Sequence, residues 1–503
     1  VPPYFLPSPG ATGGAQMDLF IQLHPKQRVA ATAAAAVTAA TAATLLPLAC
    51  LLQGCGPSNG PTQGHIYTYS SWSEPIRHGR CSSDTTPLEI PLTPKRGSSK
   101  DVLRCTLQGD IKAYDFPTGI FEIDEQLLVP ERTSIVGAMS PNDVVDPTKT
   151  PTWKEQTLFL ATRGVTDYTM NYCHAQDMVV TRVGFVLSSY VTVCNVSFQG
   201  VDTIRPNDNG ALCGGGVFET KGCAENDCKA SNVNNGGSDG IGSVGVIIDN
   251  VRLNDYYFAE DRDKIGAVIT GNANCTTERW DDQCCFCRPN GVRSSQVAIW
   301  VPQTRNTEGT RNLQVRNVVS RSTQADCINL HGYVRDAVVQ GTYCESTGDD
   351  VFALWGATSN PENITFADSI AVNPGILRPN WYGNCVATYG LKSVVFKNLR
   401  CKAPTLKSPI PSPSDGSIQI DTSMFAFHTS FDGQYPAGNT IEIRGWTFED
   451  LQGKPYTLQD GSIDRPAPGK MAWSQAAGVG TVAAPYYFPG GNQGVNVHVK
   501  QSN

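Results

Sequence analysis

The feature that most restricts this chain is a repeat. Ala325-Asp326-Cys327-Ile328-Asn329-Leu330-His331-Gly332 aligns without a gap on Asp349-Asp350-Val351-Phe352-Ala353-Leu354-Trp355-Gly356, at an offset of 24 residues. A third copy, Asn384-Cys385-Val386-Ala387-Thr388-Tyr389-Gly390, follows 34 residues after the second and so carries a ten-residue insertion. Each copy is preceded by another short apolar run, LQVRNVV, AVVQGTY or ITFADSI. Periods of this size mark solenoids, and one of about 24 built from short strands is a single turn of a parallel β-helix. The expected fold is all-β.

In such a coil equivalent residues stack at roughly 4.8 Å, the inter-strand spacing. Ile328, Phe352 and Val386 are then expected inside, as are Leu330, Leu354 and Thr388. Asp326, Asp350 and Asn384 line up where a turn enters a strand, with Asp349 beside them, and His331, Trp355 and Tyr389 line up at the far end. Three carboxylates so close cannot all ionise freely, and at least one must hold its proton more tightly. A glycosidase needs that arrangement, with one acid protonated to donate to the leaving oxygen and the others ionised. A structural ladder would use Asn or Ser, which bond along the stack without charge, as at Asn384. A calcium site or a solvated turn is the other reading of the acids. A cap on the core is the other reading of the aromatics.

The rest of the sequence agrees with a coil. From about Ile120 onward, runs such as GIFEIDEQLLVPERTSIVGA, YVTVCNVSFQGV and SVVFKNLRC are punctuated by Asn, Gly, Asp or Ser. Thr152 to Gly164, TWKEQTLFLATRG, is the one stretch with a helical pattern. The expected organisation is a leader over 1–60, an N-terminal β-rich extension over 61–115, the β-helix over 116–450, and a C-terminal cap or tail over 451–503. After Lys26 and Arg28 come 27 uncharged, alanine-rich residues, which read as a signal peptide, a signal anchor or a disordered leader. A net charge of −7 with no basic patch argues against nucleic acid as a partner.

Seventeen cysteines, some in the clusters CAENDC and DDQCCFC, lack zinc-ligand spacing and point to disulfides. Sequons at Asn195, Asn274 and Asn363 agree with a secretory route and an extracellular or cell-wall location. No membrane association of the mature form is expected, and a monomer is.

The repeat also resembles known families. Polygalacturonases carry N-T-D on one turn and D-D on the next, where this chain has QAD (Gln324 to Asp326) and GDD (Gly348 to Asp350). The wording is closer to the α-1,3-glucanases of glycoside hydrolase family 87, with A-D-G-I-N, T-G-D-D-G-L-A-M-W and N-G-I-A-x-Y-G on successive turns. Here the same places read ADCIN, TGDDVFALW and NCVATYG, within Asn312 to Gly390. The resemblance implies a single-stranded right-handed parallel β-helix of the pectin-lyase type, with irregular disulfide-linked loops. It implies a secreted, inverting glycoside hydrolase with Asp326, Asp349 and Asp350 as catalytic residues. On the polygalacturonase pattern Asp349 is the general acid and the other two hold the attacking water. Asn329, His331, Trp355, Trp381, Asn384 and Tyr389 would bind a polysaccharide, the aromatics by stacking on pyranose faces. No cofactor or catalytic metal is expected; a structural calcium remains compatible.

The sequence departs from these families in ways that matter. Glycines of the glucanase motif are Cys327, Val351 and Cys385 here, and outward-facing cysteines would narrow the cleft. The G-H-G and R-I-K motifs that bind acidic sugars are missing, which favours a neutral α-glucan. The insertion NPGILRPNWYGN (Asn373 to Asn384) is a substrate loop or a solvated bulge, and Asp202 to Gly210 is a cleft loop or a connection. Two other functions stay open. One is a non-catalytic glycan-binding β-helix. The other is a pectinolytic enzyme, either polygalacturonase-like or a calcium-dependent eliminase with Arg335 or Lys392 as base.

Overall fold

Strand after strand in this chain alternates an apolar residue with another kind, and the alternation sets which side chains fill a common core. The computed structural model describes residues 80–82, 103–106, 112–138 except 117 and 125, 156–164, 183–203, 215–222, 241–269, 291–356 except 305–307, 360–377, 383–403, 420–428, 434–450, 453, 455–457, 482–487 and 494–500. Their strands form a seventeen-stranded sheet, a nine-stranded sheet and a two-stranded ribbon. The chain passes from one large sheet to the other and returns one rung on: Gly184–Leu187, Thr192–Gln199, Gly216–Thr220, Ile247–Leu253, Val297–Val301, Gln314–Ser320, Ile328–His331. This is a single-stranded right-handed parallel β-helix, the hand that parallel crossovers take.

The register matches the repeat. Ile328 pairs with Phe352, Phe352 with Val386 and Val386 with Phe425; Leu330, Leu354, Thr388 and Phe427 form the parallel row. All but Thr388 belong to one core cluster that runs the length of the coil. Phe352, Phe366, Phe396 and Phe425 step through it with ring centroids 5.4 to 5.7 Å apart. Each such ring contributes about 1.5–3 kcal/mol by leaving water.

The larger sheet is folded along its length by one residue per turn. Asn195, Asn250, Asn317, Gly341, Asp368, Asn398 and Gly445 occupy equivalent positions on successive turns, all with φ between 50° and 79°. Asn and Asp tolerate this left-handed region better than other side chains, and glycine enters it freely. The Asn250 amide donates to Asn195 Oδ1 at 2.7 Å, and the Asn398 amide to Asp368 Oδ1 at 2.9 Å. The amides therefore bond along the stack. Asn195 is 2% exposed, so this sequon is closed to glycosylation; Asn363 is exposed, and Asn274 lies outside the described residues.

Among the described residues, two disulfides with both partners placed cross the interior rather than linking loops. Cys327 is bonded to Cys344 and Cys385 to Cys401, with Cα–Cα distances of 6.3 and 6.0 Å. All four side chains belong to the main core, so neither Cys327 nor Cys385 narrows a cleft. Between the two bridges, Val351 and Ala371 fill the same positions with aliphatic groups. Each bridge closes a loop of about 16 residues, worth about 3 kcal/mol in chain entropy. The cysteine clusters at 223–228 and 284–287 lie outside the described residues.

Other expectations need correction. Thr157–Ala161, inside the stretch with a helical pattern, is a strand paired with Gly119–Ile123. The described helix is Asp261–Ile269, where no helix was expected. Parallel pairing begins earlier than 116, at Lys112–Asp115 with Thr133–Val136. It also runs past 450: Val482–Tyr487 and Val497–Lys500 add a further turn inside the supposed tail. The leader expected over 1–60 lies outside the described residues. Within them, no helix is long and apolar enough to cross a membrane.

Candidate active site

The acids are carried on two neighbouring turns with the same local design. Thr323 donates its hydroxyl to the carbonyl of Ala325 at 2.9 Å, and Thr347 does the same to Asp349 at 2.6 Å. The two threonines form a parallel bridge. Gly348 nests so closely on the lower turn that a Cβ would lie 2.0 Å from the Gln324 carbonyl oxygen. Only glycine permits that approach. Asp350 then stands directly above Asp326, and Asp349 stands above Ala325.

Carboxylate oxygens of Asp326, Asp349 and Asp350, one from each, lie within 4.8 Å of one another. The three side chains are 5%, 8% and 2% exposed, Asp350 being the deepest. Its Oδ1 accepts both the backbone N–H of Asn384, at 2.9 Å, and the Asn384 amide, at 2.8 Å. Its Oδ2 accepts the Tyr389 hydroxyl at 2.8 Å. These donors favour the ionised form. Burial first, then the neighbouring charges of Asp349 and Asp326, outweigh them and push the Asp350 carboxyl well above the usual carboxylate range. Asn329 donates its amide to Asp326 Oδ2 at 2.6 Å, and the next rung up, Ser423, donates to Asn384 Oδ1 at 2.7 Å.

Thus Asn329, Asn384 and Tyr389, expected to touch substrate, each hold an acid. The other sequence candidates form one row with Tyr389. His331 and Trp355 have ring centroids 5.7 Å apart, Trp355 and Tyr389 stack at 3.9 Å, and Tyr389 and His428 stack at 4.3 Å. The rings face one another along the coil axis, so the Tyr389 faces are covered by its neighbours. Their room comes from the strands beneath, where Ala353, Ala387 and Ala426 form a methyl floor between the acids and the rings. His428 is a functional candidate that the sequence reading missed. The signal was a fourth copy, Ser423-Met424-Phe425-Ala426-Phe427-His428, weakened by a longer insertion and the loss of the leading acid. Burial lowers His331 to about 4 and His428 to about 3, so both are neutral at physiological pH.

Three buried polar atoms on this face find no partner among the described residues: Trp300 Nε1, Asn329 Oδ1 and His331 Nε2. Trp300 and Asn329 are neighbours across the strands, with His331 two residues further on. Such groups are normally met by water or a ligand hydroxyl.

The insertion after the second acid-bearing turn is rooted in the site. The Gly375 N–H reaches the Asp349 carbonyl at 3.1 Å, and the Leu377 N–H reaches that of Thr347 at 3.1 Å. Gly383 returns against Gly375, and a Cβ there would lie 2.3 Å from the Gly375 nitrogen. Ile376 and Leu377 pack with Val292 and with Ile265 of the helix Asp261–Ile269. Arg378, Trp381 and Tyr382 lie outside the described residues. Asp202 accepts the Gln296 amide at 2.9 Å and its carbonyl accepts that of Gln324 at 3.1 Å, so the start of Asp202 to Gly210 abuts the acid-bearing turn. Residues 204–210 lie outside the described set. Arg335 and Lys392 are both paired to Glu362, at 3.7 and 2.5 Å, on the corner beyond the aromatic row.

The triad presents only oxygen donors, the set a hard cation takes. Both lone pairs of Asp350 Oδ1 are already engaged by N–H donors, however, and its Oδ2 by a phenol. The geometry suits a shared proton better than a cation.

No protein-family model and no curated protein matches the chain. Among solved structures it is similar to a variant of the catalytic domain of GH87 alpha-1,3-glucanase in complex with tetrasaccharides, at 16% identity over 78% of this chain and 49% of that one, with a TM-score of 0.40. It is similar to the Streptococcus pneumoniae surface protein and adhesin PfbA at 11% identity, over 77% of this chain and 91% of that one, with a TM-score of 0.30. For the Dettilon tailspike protein the figures are 9%, 66%, 61% and 0.26. The chain spans about half the length of the glucanase domain. These likenesses concern the fold and carry no argument about the site.

Proposed function

We propose that this protein is a secreted glycoside hydrolase that cleaves a neutral α-glucan, α-1,3-glucan first among them. The observation that carries the reading is three carboxylates from two turns meeting within 4.8 Å, with the deepest one biased toward its protonated form. Coupled acids titrate as a unit, and within this cluster burial and the neighbouring charges make Asp350 the carboxyl that keeps a proton most strongly. That revises the role given by resemblance, which placed the general acid on Asp349. Asp350 delivers the proton to the leaving oxygen. Asp326 and Asp349, both more exposed, hold the water.

Two oxygens as much as 4.8 Å apart can accept from one water at about 2.8 Å each, with an angle near 120° at the water. One water held by two acids supports direct displacement; the inverting outcome comes from the resemblance to polygalacturonases, because these carboxylates stand closer than the roughly 6.5–9.5 Å usual for inverting pairs. The motifs ADCIN, TGDDVFALW and NCVATYG support a glucan substrate. Trp300 Nε1, Asn329 Oδ1 and His331 Nε2 support contacts to uncharged hydroxyls.

The test is incubation of the protein and its Asp350→Asn form with a panel of α-glucans. Reducing ends released from α-1,3-glucan by the parent alone, without ultraviolet-absorbing products, support the reading; unsaturated ends mean an eliminase. A second reading, a non-catalytic glycan binder, draws on the low exposure of all three acids. Binding of the panel without release of reducing ends would establish it.

A further inference from the structure

A buried ion ladder outside the acid cluster ties together the three turns that lead into it. Arg321 ends the strand run before Asp326. Its Nε donates to Asp255 Oδ1 on the turn below at 2.9 Å, and its Nη1 donates to Glu345 Oε2 on the turn above at 2.8 Å. Asp255 is also held by Arg252 Nη1 at 2.7 Å, with both side chains fully buried. Glu345 also accepts the Tyr343 hydroxyl at 2.9 Å. The guanidinium lies over the rings of Tyr343 and Tyr256, at 4.9 and 5.8 Å from their centroids.

The spacing from this ladder to the acids is equal on the two turns. Arg321 precedes Asp326 by five residues, and Glu345 precedes Asp350 by five. The connecting segments are bonded to one another: the Gly348 N–H donates to the Thr323 carbonyl at 2.9 Å, and Thr323 and Thr347 form their bridge. Like charges on Asp326 and the doublet push these turns apart. A planar guanidinium with donors aimed at both neighbours resists that displacement, as a lysine ammonium could only in part.

We infer that Arg321 is a positioning residue for the acid cluster: by gripping Asp255 and Glu345 it fixes the offset between the turn bearing Asp326 and the turn bearing Asp349 and Asp350. The inference rests on the hydrolase reading for its effect on turnover, and on geometry alone for its effect on the acids. A merely structural ion pair would alter stability and leave the acids' mutual coupling unchanged.

The experiment compares the parent with Arg321→Lys and Arg321→Met in two ways. The first, independent of activity, follows the Asp350 carboxyl by NMR in protein with carbon-13-labelled aspartate. Releasing the turns separates Asp326 from Asp350 and lets water in, so the Asp350 midpoint falls in the order parent, Lys, Met. The second is turnover of soluble α-1,3-glucan oligosaccharides, with kcat expected to fall about 10- to 100-fold in the Met form and KM to change less than about twofold. Identical carboxyl titrations in parent, Lys and Met forms, whatever the change in Tm, overturn the proposal. Shifted titrations with no hydrolysis by any form uphold the clamp and remove the hydrolase reading. Should the Met form not fold, Arg321→Lys and Glu345→Gln decide in its place, each expected to lower the midpoint by a smaller step. Unchanged midpoints in both overturn it.

Discussion

The Tyr389 hydroxyl donates to Asp350 Oδ2 at 2.8 Å while its ring is sandwiched between Trp355 and His428. One residue thus joins the aromatic row to the acid cluster, crossing the Ala387 methyl to do so. Tyr389→Phe keeps the sandwich and removes the donor. The lost bond had favoured the ionised carboxylate, so Asp350 holds its proton to higher pH and the alkaline limb of the activity profile moves up. One charge-assisted hydrogen bond is worth about 1.5 kcal/mol or more, so kcat is expected to fall about tenfold. A pH–rate profile of the two proteins checks both.

Asp350→Asn removes a general acid and is expected to reduce kcat by about 10²–10⁴-fold, read by reducing-end release. Its stability should move the other way. A carboxyl whose proton affinity is raised by folding contributes stability below its unfolded pKa and loses it as pH rises through the folded one. Above that value the parent bears the cost of a buried charge and the variant does not. Thermal melts should therefore show Asp350→Asn gaining on the parent from acidic to neutral pH.

His331 and His428 act in the opposite direction. Each is held neutral, at about 4 and about 3, against an unfolded value of 6.5. A base with a lowered folded pKa contributes stability above 6.5 that is lost as pH falls through the folded value. His331→Phe should flatten the acid limb of the Tm curve between pH 6.5 and about 4, with little change above pH 7.

Ala387→Leu fills the floor on which Tyr389 lies. Overpacking of this kind typically costs about 1–3 kcal/mol. The ring must lift away from Asp350, so activity should fall at least as far as in Tyr389→Phe, with a Tm loss that Tyr389→Phe does not share.

Prolonged dialysis against a strong chelator should leave both hydrolysis rate and Tm unchanged, because the oxygens of Asp350 are engaged by Asn384 and Tyr389. A fall in rate restored by calcium would instead place a cation among the acids.

The coil and the meeting of its acids were legible because a β-helix converts sequence period into spatial stacking. Asp326 over Asp350 followed from an offset of 24 and needed no knowledge of loops. What each polar side chain does was less legible. Asn329, Asn384 and Tyr389 read as substrate contacts because their type suits both tasks, and only three-dimensional reach assigns them to the acids. The inward turn of Cys327 and Cys385 was hidden because both stand where the glucanase motif that the repeat resembles has glycine, a residue that gives no facing. Arg321 was invisible for another reason. Its partners Asp255 and Glu345 lie 66 and 24 residues away, and a charge alone does not name its counter-ion. The helix Asp261–Ile269 lacks a clear apolar stripe, so periodicity could not find it.

The one-residue bend at Asn195, Asn250, Asn317 and their successors admits no change of length, whereas the edge bearing the acids passes from one strand to the next in as few as six residues or in many more. Growth of the chain is thereby kept out of the bent sheet and falls to the corners flanking the shorter strands, one of which carries the acids. New specificities can be written there by splicing, as text is added in a margin, without renumbering a single line of the scaffold.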